Sequence, residues 1–283
     1  MGAPFAGRAD HPRRHVTRHD LTRPPVEDER EALARLYDLD LSDDPGDLDL
    51  YLALATRADG PVLELAAGSG RVTVPLAAAG HRVTAVDIDP AMVARGRRLA
   101  GRAGRATAAR LRWVEADLVG LRLADAGEYA LAFIGLNSLL ALGSRETQRE
   151  ALRTLAAHVR SGGIVAVDVW QPDLDDLARF DGRLLLEWMR DDPETGEQVT
   201  KIASAQHDAP NQAVTVTTIF EASQPGASPR RWLRTDRMRL VSADELGGFA
   251  ADAGLEIEVM AGGYDLEPIA PGSDRAVLVA VRR

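Results

Sequence analysis

Residues 62–71 read VLELAAGSGR, and this stretch decides how the rest of the chain is parsed. Val62 to Leu65 is a short run, apolar except for Glu64, which reads as a buried strand. Gly68 and Gly70 follow directly. Glycine adopts left-handed backbone without steric cost and lets a ligand approach the main chain. A glycine turn after a first buried strand sits where open α/β sheets bind ligands, at the carboxyl edge. A helix is expected through VTVPLAAA (72–79), stopped by Gly80.

Working outward, strands alternate with helices. HRVTAVDI (81–88) reads as a second strand, and Pro90 opens the next helix at a favourable first-turn position. RLRWVEAD (110–117) and EYALAFIGL (128–136) read as the third and fourth strands, with 101–110 as a loop or frayed helix end. SRETQREALRTLAAHV (144–159) is an amphipathic helix with Ser144 as N-cap, Gly162-Gly163 as its stop and IVAVDVW (164–170) as a fifth strand. This rhythm predicts right-handed βαβ units and a mostly parallel sheet with helices on both faces. Between 183 and 241, four strand-like segments are separated by Pro/Gly/Asn turns, as in an antiparallel insertion. A helix with Ser242 and Glu245 as a capping box and two more strands complete the chain. The fold class is therefore α/β, a Rossmann-like doubly wound, mostly parallel seven-stranded sheet with an antiparallel β insertion after the fifth strand. Five regions are expected: an N-terminal arm (1–28), a helical lid (29–60), the cofactor-binding core (61–182), an acceptor-side insertion (183–241) and the completion of the sheet (242–283).

Composition narrows the function. The 283 residues are 45% hydrophobic, enough for a sizeable core, and no apolar run reaches membrane-spanning length. No apolar segment of signal-peptide length follows the basic N-terminal residues, so a cytoplasmic protein is expected. Cysteine is absent, which excludes disulfides, thiolate metal sites and a cysteine nucleophile. The net charge of −9 argues against a nucleic-acid partner. Lys201 is the sole lysine among 34 basic residues, so a Schiff-base lysine is not expected. His11, His15 and His19 have helical spacing, but Pro12 and the polar surroundings speak against a helix there, and no metal site is expected.

Two acidic strand ends add to the glycine turn. Asp87 ends the second strand, where a carboxylate accepts hydrogen bonds from ribose hydroxyls. Asp117 ends the third, where it can receive an adenine amino group. The dinucleotide fingerprint requires a third glycine, and Thr73 stands in its place. Glu64 would repel a pyrophosphate and attract a cationic sulfonium and ammonium. The triple thus favours adenosylmethionine over a nicotinamide dinucleotide.

These segments resemble the class I S-adenosylmethionine-dependent methyltransferases over residues 31–283. VLELAAGSGR is similar to the family's first motif, VTAVDIDPAM (83–92) to its second, with Met92 against the adenine, and WVEADL (113–118) to its third. FIGLNSLLAL (133–142), RSGGIVAVDV (160–169) and the ending 261–281 resemble its later strands, of which the last is antiparallel. Within the family, bacterial small-molecule enzymes are the most similar. The turn departs mildly, reading AAGSG where C-G-T-G is commoner. No N/D-P-P-Y motif follows the fourth strand, unlike many enzymes that methylate amines of nucleic acids or proteins. The resemblance implies S-adenosyl-L-methionine as cofactor, held by Glu64, Ala66, Gly68, Gly70, Asp87, Ile88, Met92, Asp117, Leu118 and Leu136. It implies a small-molecule methyl acceptor, and it is compatible with a homodimer.

On the acceptor side, Asn137, Tyr37 and His207 are the candidate catalytic groups. Asn137 follows the fourth strand, Tyr37 lies in the lid helix and His207 is the one histidine of the insertion. Tyr51, Trp170, Trp232, Arg237 and Tyr264 are candidate acceptor contacts; Arg237 and Arg239 would share a face that suits an acidic group. Two other readings stay open, an NAD(P)-dependent oxidoreductase and a non-catalytic adenosylmethionine-binding protein. Ligand choice separates the first from a methyltransferase, and methyl transfer separates the second.

Overall fold

The computed structural model describes residues 28–43 and 45–283; His11, His15 and His19 lie outside them. Two helices, α1 (Glu29–Asp40) and α2 (Leu48–Ala58), come first. Then follow β1 (Val62–Leu65), α3 (Thr73–Ala78), β2 (Val83–Asp87), α4 (Pro90–Arg102), α5 (Arg105–Ala108), β3 (Leu111–Glu115), β4 (Tyr129–Ile134), α6 (Arg145–His158) and β5 (Val159–Trp170). After α7 (Leu174–Arg179) come the insertion strands β6 (Leu185–Asp191), β7 (Gln198–Asp208), β8 (Ala213–Ser223) and β9 (Arg230–Arg239). Helix α8 (Ala243–Asp252), β10 (Leu255–Ala261) and β11 (Arg275–Arg282) end the chain.

The main sheet has seven strands in the order β10-β11-β5-β4-β1-β2-β3. β1 to β5 pair in parallel, and β11 runs against both of its neighbours. The order reverses between β1 and β4, so the β1–α3 turn opens at the switch point where such sheets leave a crevice. Every residue of β1 and β4 is buried, as strands covered on both faces require. Leu63, Leu65 and Ile134 pack towards α6 and α8, while Val62 and Phe133 pack towards α2 and α3. Each such side chain contributes about 1.5–3 kcal/mol on burial.

The insertion is a separate four-stranded antiparallel sheet, β6-β7-β8-β9. A third apolar cluster, with Leu36, Phe220 and Trp232, joins it to α1. Polar contacts fasten the same junction: Arg35 pairs with Asp192, both buried, and Asp40 receives Trp188 Nε1 at 2.9 Å and Lys201 Nζ at 2.7 Å. Among the described residues, no helix is long and apolar enough to cross a membrane.

Three local features differ from expectation. α6 ends at His158, and Gly162-Gly163 lie inside β5 rather than stopping the helix. A Cβ at Gly163 would come within 2.9 Å of Arg160 O and 3.1 Å of Tyr129 O, and the β4–β5 register shifts there, so the pair marks a bulge. Residues 105–108 form one helical turn, α5, where a loop or frayed end was expected. Ser242 caps α8 by accepting from Glu245 N, but the Glu245 carboxylate turns to Arg239 at 2.9 Å, so half of the capping box forms.

Candidate active site

The glycine turn is built as its sequence requires. Ala66, Gly68 and Gly70 have φ of 58°, 55° and 88°. A Cβ at Gly70 would lie 2.7 Å from the Trp113 ring, so that glycine serves close packing against β3. Ala67 N donates to Val86 O at 2.9 Å and ties the turn to β2. Asp87 then braces it: its carboxylate accepts Gly68 N–H at 2.7 Å and Asp89 N–H at 2.9 Å. Burial pushes the Asp87 pKa up, and the backbone N–H bonds pull against it. Asp89 caps α4 through Ala91 N at 2.8 Å.

Glu64 lies beneath this turn and not on the cavity. Its carboxyl is buried, accepts from Thr73 Oγ1, and is pushed up to about 8 by loss of solvent. At neutral pH the uncharged form is favoured, which weakens its expected repulsion of a pyrophosphate. The stronger objection to a dinucleotide is Thr73 itself. Where a dinucleotide site needs glycine to bring helix and strand together, Thr73 is fully buried and its side chain bridges α3 to β1.

Around the turn opens a cavity of about 640 Å³. It is lined by Ala66 and Gly68 from the turn, Asp87, Ile88 and Met92 after β2, and Asp117 and Leu118 after β3. Ser138, Ala141, Leu142 and Thr147 line it from the β4–α6 segment, Leu33, Ala34 and Tyr37 from α1, and Arg234 from β9. The size is that of a site for a drug-sized ligand. Carboxylates at two strand ends beside Ile88, Met92 and Leu118 suit a ribose and a flat, mostly apolar base. The residues therefore fit adenosylmethionine.

Helix α1 closes the cavity on the side of the turn. Asp38 accepts from Ser69 Oγ and from Arg95, and Arg95 also pairs with Glu194 of the β6–β7 turn at 2.5 Å. Tyr37 thereby sits over the turn, 3.9 Å from where a Cβ of Gly68 would be, with the Arg234 guanidinium 5.7 Å from its ring centre. Burial pushes the Tyr37 pKa up, against Arg71 and Arg234. Its hydroxyl therefore stays protonated near neutrality and donates rather than acting as a base.

The other expected site residues fall elsewhere. Leu136 and Asn137 both have positive φ, 48° and 66°, just past β4. Asn137 Oδ1 accepts Trp170 N–H at 2.6 Å, which ties the ends of β4 and β5 together; the adjacent Ser138 is the one that faces the cavity. The Trp170 ring packs 5.6 Å from Phe180. His207 lies on β7 with its main-chain N–H donated to Phe180 O at 3.0 Å, and Arg237 pairs with Asp208 at 2.9 Å on the exposed side of the insertion. Trp232 is buried between α1 and the insertion sheet. Tyr51 is fully buried and stacks on Phe133 at 4.2 Å. None of these seven lines the cavity.

Tyr51 and Tyr264 instead converge on a residue that the sequence reading passed over. Asp168, near the end of β5, is fully buried. It accepts from Tyr51 OH at 2.6 Å, Leu136 N at 2.9 Å and Tyr264 OH at 3.1 Å, and pairs with Arg275 at 2.8 Å. An acidic residue inside the apolar run IVAVDVW was the available signal. Arg234 also went unnamed, although alternation along β9 turns it inward to the cavity.

Comparison with known proteins agrees with this geometry. The family model described as a methyltransferase domain matches residues 62–163. An uncharacterized protein of Mycobacterium tuberculosis is 35% identical over 129 residues, 46% of this chain. The match spans about two fifths (42%) of the length of that relative. Among solved structures, the CcbJ methyltransferase from Streptomyces caelestis superposes with a TM-score of 0.71 at 22% identity, covering 86% of this chain and 98% of its own. CalS10, an amino pentose methyltransferase from Micromonospora echinaspora involved in calicheamicin biosynthesis, gives 0.65 at 18% identity, covering 88% and 97%. Residues 62–163 thus carry the methyltransferase domain, and the fold is that of the S-adenosylmethionine-dependent methyltransferases.

Proposed function

We propose that this chain moves a methyl group from S-adenosyl-L-methionine to a nucleophilic nitrogen, oxygen or carbon of a small molecule, as part of secondary metabolism. One observation carries the reading. Three successive strand ends supply a glycine turn, Asp87 and Asp117 to one cavity, which α1 and β9 close with Tyr37 and Arg234. When bound, the cofactor supplies a methyl group already activated on a sulfonium. The protein then has to hold and align the two reactants and keep water out.

In this reading Asp87 holds the ribose and Asp117 the adenine amino group, with Met92, Ile88 and Leu118 against the base. Ala66, Gly68 and Gly70 give the main chain its close approach, Glu64 supports the turn from below, and Leu136 ends the strand beside it. Tyr37 donates a hydrogen bond into the cavity, and Asn137 acts through the loop that carries Ser138. The insertion and α1 form the acceptor side. A site of this size, on a chain of net charge −9, favours a small acceptor over nucleic acid. A homodimer and a cytoplasmic setting, where adenosylmethionine is made, belong to the same reading. The similarity to CcbJ and to an amino pentose methyltransferase supports natural-product acceptors.

The test is radiolabelled methyl transfer against panels of amino sugars, phenols, amino acids, tRNA and whole protein. Label incorporated into a small-molecule panel is expected. Incorporation only into tRNA or protein, or into nothing while adenosylhomocysteine binds, would overturn the small-molecule assignment; the latter result identifies a non-catalytic binder.

A further inference from the structure

The cavity is electrically lopsided. Asp87 and Asp89 at the end of β2 and Asp117 beyond β3 put three carboxylates on the side where ribose and adenine lie in the reading above. Among the described residues that line the cavity, Arg234 of β9 is the one cation. The strand order runs β4-β1-β2-β3. A ligand with its adenine at β3 and its ribose at β2 therefore directs its 5′ substituent back across β1. In adenosylmethionine that substituent is an amino acid. Beside β1 stand the glycine turn, Tyr37 and Arg234. An α-carboxylate brought into a cavity that already holds three others is repelled unless a cation meets it. Of the guanidinium groups around the turn, two are already satisfied. Arg71 gives both terminal nitrogens to Asp47 at 2.6 Å, and Arg95 is held by Asp38 and Glu194. Arg234 differs. Its Nε pairs with Asp236 at 2.6 Å, two residues along the same face of β9, while its terminal nitrogens meet no acceptor among the described residues.

We infer, resting on the methyltransferase reading of the cavity, that Arg234 with Tyr37 beside it is the receptor for the α-carboxylate of the cofactor's amino-acid tail. Because Asp236 takes Nε, the guanidinium keeps the end-on pair of terminal N–H groups, which matches the two oxygens of a carboxylate. The group sits 5.7 Å from the Tyr37 ring centre. The Tyr37 hydroxyl, protonated near neutrality, is a second donor on the same wall. The cofactor then bridges two parts of the chain. Its adenosine lies on strand ends of the main sheet, and its carboxylate is held by β9 of the insertion and by α1. The insertion thus takes part in cofactor binding as well as in forming the acceptor side.

Calorimetry with two ligands isolates the carboxylate. Adenosylhomocysteine and its decarboxylated analogue share the adenosine, the thioether and the amine, and differ only in that group. Arg234→Gln is expected to weaken adenosylhomocysteine binding by about tenfold, the loss of a hydrogen-bonded charge pair. The same variant is expected to bind the analogue within about twofold of wild type or more tightly, because its ammonium has no carboxylate for Arg234 to hold. Arg234→Lys keeps the charge without the planar fork and should fall between. Arg234 is half-buried on a strand surface, so the variants are expected to fold. If Arg234→Gln does not fold, Arg234→Lys is read in its place and must weaken adenosylhomocysteine by at least about threefold while sparing the analogue. Equal losses for the two ligands, or no loss for either, would overturn the assignment and leave the methyltransferase reading standing. Unchanged affinity for both ligands together with lost methyl transfer to acidic acceptors would move Arg234 to the acceptor. No binding of adenosylhomocysteine to the wild-type protein would overturn both.

Discussion

Asp87→Ala is expected to weaken adenosylhomocysteine binding by about tenfold or more and also to lower the melting temperature. Hydrogen bonds to a charged group are worth about 1.5–3 kcal/mol, and about 1.4 kcal/mol is a factor of ten in affinity. Asp87 stands at the end of β2 and lines the cavity, so its carboxylate can accept further hydrogen bonds from a ligand there. The same carboxylate holds Gly68 N–H at 2.7 Å and Asp89 N–H at 2.9 Å. Alanine therefore removes both the ligand contact and the brace on the turn. Asp87→Asn keeps one acceptor oxygen and should fall between. Titration calorimetry and thermal melts separate the two effects. An unchanged affinity with a lowered melting temperature would reduce Asp87 to a strand-end brace.

Asp168→Ala is expected to cost about 3–5 kcal/mol of folding stability, the range found when one partner of a buried ion pair is removed. The substitution leaves Arg275 without its counter-ion and strips acceptors from Tyr51 OH, Tyr264 OH and Leu136 N–H. Burial pushes the Asp168 pKa up while Tyr51, Arg275 and the Leu136 N–H hold it down, so the carboxylate depends on these partners. Leu136 and Asn137 are in left-handed backbone that non-glycine residues adopt only under constraint, and Asp168 supplies part of that constraint. Asp168→Asn retains an acceptor and should lose less. Urea unfolding measures the difference. A loss below about 1 kcal/mol for Asp168→Ala would show that the hub carries little of the fold.

How much was legible in the sequence depended on distance along the chain. The VLELAAGSGR turn, Asp87, Met92 and Asp117 are local to their strand ends, and strand periodicity with glycine and proline punctuation locates them. Their placement in one cavity follows from the parallel sheet, which aligns successive carboxyl ends. The aromatic acceptor candidates depend on partners far away in sequence. Nothing near Tyr51 or Trp232 in the chain says whether the ring meets a ligand or Phe133, Leu36 and Phe220. Glu64 shows the same limit. Its spacing from Gly68 is visible, but the Thr73 hydroxyl that donates to it, and the burial that favours its neutral form, are not. Arg234 could have been read better. Period-two alternation along β9 puts it on the Trp232 side, away from Leu233. The Gly162-Gly163 pair was a punctuation signal with two physical meanings, helix stop or bulge, and only pairing with β4 separates them.

Ligand choice tests the central claim most directly. Adenosylhomocysteine and NAD titrated into the wild-type protein by calorimetry, under the same buffer and salt, ask whether this cavity takes an adenosylated amino acid or a dinucleotide. Micromolar binding of adenosylhomocysteine and no detectable heat from NAD are expected, because the buried Thr73 stands where a dinucleotide site needs glycine to bring helix and strand close together. Tight binding of NAD with no binding of adenosylhomocysteine would contradict the methyltransferase assignment.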